Sequence, residues 1–65
     1  MCLASVYYEK NCKKELLMKK AASINIVSDN IICRDFLGRE ISVDGVISSI
    51  DLENNIVICK GRAQG

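Results

Sequence analysis

The 65-residue sequence has no histidine, no tryptophan and no proline, and aromatic residues make up only 5% of it. Without histidine the chain lacks the usual general base near neutral pH and the commonest imidazole metal ligand. Cys2 has no activating partner in sequence. The acids Asp35, Glu40, Asp44, Asp51 and Glu53 are scattered over turns and strand ends, as solvated carboxylates are, and a turn or strand-end hydrogen-bonding role is expected of Asp51. An enzyme is not expected. No two of the four cysteines, Cys2, Cys12, Cys33 and Cys59, form a C-x-x-C pair, which argues against a structural zinc site. Long apolar runs are also missing. Lys10 interrupts the apolar start before it reaches signal-peptide length, and no membrane-spanning run follows. A cytoplasmic location is therefore expected, with reduced cysteines and no disulfide framework. The formal net charge of +1 gives no general basic surface for nucleic acid.

What the sequence does contain is apolar side chains, at 49% of the residues. They are too many for the volume one short chain can enclose, because a domain of this size buries only about 60% of its unfolded surface. Dimerisation is the remedy, and a homodimer is expected. Residues 1–60 read as a single β domain and residues 61–65 as a loose tail without apolar pattern.

Short β-branched runs separated by turn residues dominate the domain. Cys2 to Tyr8 alternates, with Cys2, Ala4, Val6 and Tyr8 on one face and Leu3, Ser5 and Tyr7 on the other. The step Lys10-Asn11-Cys12-Lys13-Lys14 reads as a turn. Glu15 to Ala22 has good helix propensity but is too short for a convincing amphipathic helix, and its neighbours read as sheet; a strand is expected. Ser23 to Val27, Ile31 to Phe36, Arg39 to Val43, Val46 to Leu52 and Asn55 to Cys59 follow as strands. Gly38 and Gly45 read as backbone devices, the latter either in a tight turn or in a glycine bend within a long curved strand. Ile56 and Ile58 face one way, Val57 and Cys59 the other. Six or seven such strands imply an all-β fold, a small antiparallel barrel or sandwich. Lys10, Lys13, Lys14, Lys19 and Lys20, diluted by Glu9 and Glu15, read as a solvated hairpin edge.

The functional candidate is Cys2. The Met1 amine, the Cys2 amide nitrogen once deprotonated and the Cys2 sulfur are three donors in a row that close adjacent five-membered chelate rings. Planar nitrogen–sulfur ligation suits Ni(II) and Cu(II), whereas Zn(II) with thiolates prefers a tetrahedron. If Met1 is removed, the new amine and the Cys2 thiol still chelate. The competing reading is that Cys2 is a small apolar side chain at the head of a strand.

The chain resembles the CooT-like proteins in Met1-Cys2 and the apolar strand through Val6, in the Arg34-Asp35-Phe36-Leu37-Gly38 step, and in Val43 to Leu52 leading into Ile56-Val57-Ile58. The resemblance implies a small SH3-like β-barrel homodimer that binds Ni(II) through Cys2, with Met1 as the source of the terminal amine. It also implies a partner, a nickel enzyme of the carbon monoxide dehydrogenase type whose maturation it serves. One ion on a dimer axis and one ion per subunit both remain open. The alternative function is a small RNA-binding β module using the basic hairpin with Tyr7, Tyr8 or Phe36 as stacking surfaces. A structural interaction domain without ligand is the third reading.

Overall fold

The computed structural model describes residues 2–61. Six strands follow one another, β1 (Ala4–Lys10), β2 (Lys13–Val27), β3 (Asn30–Asp35), β4 (Glu40–Asp44), β5 (Val46–Asp51) and β6 (Ile56–Lys60). They form one sheet in the order β4-β3-β2-β1-β6-β5. The all-β expectation holds, and two parts of its finer form are corrected. The sheet is not closed into a barrel, and it is not wholly antiparallel, because β1 and β6 run parallel from Ser5 beside Ile56 to Glu9 beside Lys60. The reason is the chain path. The two edge strands, β4 and β5, are successive lengths of one strand bent at Gly45, so the ends of the sheet meet through the chain itself and not through a further ladder.

Gly45 is therefore the bend in a curved strand, the second of the two readings open for it. A side chain has no room there, since a Cβ would stand 2.3 Å from the carbonyl oxygen of Lys60. The Gly45 amide donates to the Asp29 carbonyl at 3.3 Å, which ties the bend to the β2–β3 turn.

The segment with helix propensity is strand, as expected, but it does not end at Ala22. The Glu15 to Ala22 and Ser23 to Val27 runs join, with Lys13 and Lys14 from the expected turn ahead of them, in one 15-residue strand. Against β1, Ala4 pairs with Ala21, Val6 with Met18 and Tyr7 with Leu16, so β2 carries an extra residue at each step. A third extra residue lies opposite β3, between Ala21 and Ser23. Bulges of this kind bend a strand and reset which side chains face inward. They explain how Met18, Ala21 and Ile24, spaced by three as on a helix, all reach one face of a strand.

That face carries the core: Val6, Met18, Ala21, Ile31, Cys33, Val57 and Cys59 are buried, with Ala4, Tyr8, Ile24, Ile41, Val43 and Ile47 packed against them. The alternation read for β1 and β6 places these residues correctly. The lysine cluster lies on a solvated hairpin edge, as expected: β1 and β2 are inner in the strand order, but β2 pairs with β3 only from Ala21 onward, so Lys13, Lys14, Lys19 and Lys20 fall on a stretch flanked by β1 alone, and all are exposed. The turn at its tip is as expected. Asn11 and Cys12 have φ of 53° and 65°, the left-handed pair of a two-residue type I′ hairpin. Of the supposed tail, Gly61 is half-buried beside the Tyr8 hydroxyl, and residues 62–65 lie outside the described residues.

Asp35 is not the solvated carboxylate that its position suggests. It is 7% exposed and staples the β3–β4 turn. Its Oδ1 accepts from the Leu37 and Arg39 amides, both at 2.9 Å, and its Oδ2 from Arg39 Nε at 2.8 Å. Gly38, with φ of 87°, donates back to the Asp35 carbonyl at 3.0 Å. Burial pushes the Asp35 carboxyl up, but the Arg39 and Leu37 hydrogen bonds and the Arg39 charge outweigh it and hold it below the usual carboxylate range. Asp51 does the same work at the β5–β6 turn. The Asn54 side chain and amide, then the Glu53 amide, lower its pKa.

Two outcomes follow from this architecture. Gly45→Ala must push the Lys60 backbone aside and is expected to cost about 1–3 kcal/mol, an overpacking penalty, measured as a shift in the urea midpoint. A carboxylate with a depressed folded pKa contributes stability that is full above its unfolded value, about 3.9, and is lost as pH falls through the folded value. Asp35→Asn should accordingly destabilise the protein at neutral pH, with the difference from wild type shrinking as unfolding is repeated below about pH 4. A pH-independent difference would show that the charge of Asp35 is not what holds the turn.

Candidate metal-binding N-terminus

The entry of the chain into β1 is held from both sides at Ser5. Its amide donates to the Asn55 carbonyl at 2.8 Å and its hydroxyl to the Lys19 carbonyl at 3.3 Å. Val6, fully buried, anchors the next position. Cys2 lies ahead of this anchor, outside the ladder, and is exposed. It shares the inward parity of Ala4 and Val6, yet the sheet does not extend far enough to cover it. The packing reading of Cys2 therefore lacks its main requirement, which is burial.

No group of three or more Cys, Asp or Glu residues converges on a common point among the described residues. Around Cys2 the protein supplies one thiol and its own main chain. Met1, the other residue expected at the site, lies outside the described residues. A set of one sulfur with backbone nitrogen is a chelate that a chain end can offer without a preformed pocket, and it matches the donor preference of Ni(II) and Cu(II).

The remaining cysteines are occupied elsewhere. Cys33 and Cys59 are fully buried in the core from β3 and β6. Burial pushes both thiols up, and the nearness of Cys59 raises Cys33 further. Both are small apolar side chains by environment, held protonated and poor as ligands or nucleophiles. Cys12 is exposed on the type I′ turn at the other end of β1 from Cys2. Sequence spacing left these three without a role, and the fold gives two of them a packing role.

Sequence reasoning read the break at Leu37-Gly38 but missed Asp35 as the residue that organises the turn. The signal was present as an aspartate followed by Gly38 and Arg39, acceptor, left-handed residue and cation in a short span. Burial of the side chains makes a direct test available. In the folded protein a thiol reagent should modify Cys2 and Cys12 rapidly, and Cys33 and Cys59 only after unfolding; fast modification of all four would contradict this core.

Comparison with known proteins agrees with the architecture. The family model described as "CO dehydrogenase accessory protein CooT" matches residues 1–60. Among solved structures, the crystal structure of a candidate CooT from Carboxydothermus hydrogenoformans superposes with a TM-score of 0.87 at 14% identity, over 95% of this chain and 100% of that one. At so low an identity the superposition speaks for the fold alone. No curated protein sequence matches. With the family model covering the strands, the bend at Gly45 and the exposed N-terminal cysteine together, the chain belongs to the CooT family of CO dehydrogenase accessory proteins.

Proposed function

We propose that the protein is a cytoplasmic carrier that binds Ni(II) at its N-terminus and delivers it during maturation of a carbon monoxide dehydrogenase type of enzyme. Nickel is cargo in this reading, and the protein itself catalyses nothing. The observation that carries the proposal is the exposure of Cys2 ahead of a firmly anchored strand. The accessory role described for the family supports it. The Cys2 thiolate supplies sulfur, its amide and the terminal amine supply nitrogen, and Met1 is the source of that amine where it is retained. Such a site is open to solvent and to a partner, as exchange requires. Binding displaces protons from the thiol and from nitrogen, so affinity falls as pH drops.

The carrier is proposed to act as a homodimer. The chain exposes 4821 Å², against about 4100 Å² for a compact monomer of its mass. Ile26, Val27, Val46, Ile50 and Leu52 are all exposed, apolar area that a second copy would cover. Two chains would also bring two Cys2 residues to one ion where the symmetry axis passes near them.

RNA binding draws less support. Tyr8 is packed against the core, and Phe36 lies under Lys20, with the ammonium 5.5 Å from the ring centroid. The Tyr8 ring is therefore no open platform for base stacking, and one face of Phe36 is already taken by Lys20.

The experiment is a nickel titration of untagged protein, read by thiolate-to-nickel charge-transfer absorption and by native mass. Saturation at a defined ratio is expected, with one ion per two chains placing the ion on the dimer axis. Cys2→Ser should abolish the bands and leave the circular dichroism spectrum unchanged. A variant that keeps stoichiometric tight binding would remove Cys2 from the site.

A further inference from the structure

Two large apolar side chains stand at the tip of the β3–β4 turn. Phe36 is 51% exposed and Leu37 63%. Exposed apolar residues on loops are common, but this loop is not loose. Asp35 accepts from the Leu37 and Arg39 amides and from Arg39 Nε, the Asp35 amide donates to the Arg39 carbonyl, and the Phe36 amide donates to the Lys20 carbonyl at 3.2 Å. Rigidity of this kind removes the ordering cost that a flexible loop meets on binding. The fold therefore holds Phe36 and Leu37 out in water in a fixed geometry.

The surroundings are cationic. Lys20 sits over the Phe36 ring, and Lys19 and Arg39 line a shallow hollow beside Asp35. The two carboxylates in this region are both taken, Asp35 by Arg39 and Glu40 by Arg34. Among the described residues no carboxylate forms a salt bridge with Lys19 or Lys20 beside the apolar tip. A fixed aromatic–aliphatic pair inside a positive rim has the composition of an interface anchor, with aromatic and Arg residues central and charge at the edge for steering.

The foot of the tip, Asp35, is also close to the start of β1, ahead of which Cys2 stands. Ala4, where β1 begins, pairs with Ala21, and Ala21 pairs with Asp35. Two strand spacings, about 10 Å, separate the entry of β1 from the foot of the tip. By contrast, the Lys10 to Lys14 hairpin lies at the far end of β1.

We propose that the β3–β4 tip, Phe36 and Leu37 ringed by Lys19, Lys20 and Arg39, docks into an apolar socket rimmed by carboxylates on a partner protein. This rests on the accessory role proposed above and names the surface by which the enzyme that receives the metal is held. The apolar pair supplies the anchor, and the cations supply orientation and rate of encounter.

The test uses purified nickel-free carbon monoxide dehydrogenase, titrated with fluorescently labelled protein. Three proteins are compared: wild type, Phe36→Ser with Leu37→Ser, and Lys19→Glu with Lys20→Glu. The altered side chains are exposed and the turn is held by backbone and Asp35 bonds, so circular dichroism should match wild type. The apolar variant is expected to weaken binding roughly tenfold or more, as loss of an anchor does. The charge variant is expected to slow association and to remove most of the salt dependence. Neither variant should alter nickel titration at Cys2. Equal affinity of wild type and the apolar variant overturns the docking surface and leaves the carrier reading intact. Failure of the wild type to bind overturns both the docking surface and the contact with this enzyme, while the nickel titration decides the metal site separately. Two further outcomes also overturn the proposal. Tip-dependent binding to phosphatidylcholine–phosphatidylserine vesicles in place of the enzyme would assign the tip to a membrane, and dissociation of a dimer in the apolar variant would assign it to a second copy.

Discussion

The contact between Gly45 and the Lys60 backbone carries the architecture. A sheet of six short strands has no second layer to pack on, so it must curl until its own inner face becomes a core. Curling brings the two ends of the sheet together, and here those ends are one strand that bends. The bend passes so close to β6 that only a residue without Cβ fits. From that contact follow the neighbouring β3 and β5 and the burial of Ile31, Cys33, Val57 and Cys59. The three extra residues of β2 serve the same curvature from the opposite side of the sheet.

A core built this way is thin, and its limits shape the rest of the molecule. Seven buried apolar residues, two of them cysteines, leave Ile26, Val27, Ile50 and Leu52 in solvent. Small domains commonly meet this shortage with disulfides or structural metals. Among the described residues the buried cysteines, Cys33 and Cys59, are free thiols used as packing, and the two exposed ones, Cys2 and Cys12, stand outside the core. The two stapled turns, at Asp35 and Asp51, instead fix the loops by hydrogen bonds to carboxylates. Their dependence on ionisation links the rigidity of the β3–β4 tip to pH.

The functional reading divides the molecule by its ends. The start of β1, with Cys2 ahead of it, lies two strands from Asp35 at the foot of the Phe36–Leu37 tip, while the tip itself runs beside Lys20 on the side of the lysine-rich hairpin. A carrier needs metal exchange and partner recognition to occur near one another, since the ion must pass while the two proteins are held. The sheet register supplies that proximity, placing the start of β1 level with the end of β3 through Ala21.

Much of this was legible in the residues. Alternation set the inward faces of β1 and β6, and β-branched runs and turn residues set the strand count within one. Cys2 is a proposal that sequence alone can raise, because its donors are covalently adjacent and need no folding to be near each other. Only tertiary structure decided the rest. The parallel pairing of β1 with β6, the open sheet, the merging of two runs into β2 and the burial of Asp35 all depend on which distant segments lie side by side. Local pattern reports a residue's neighbours along the chain, whereas register, curvature and the burial of a charge are settled by neighbours across the sheet.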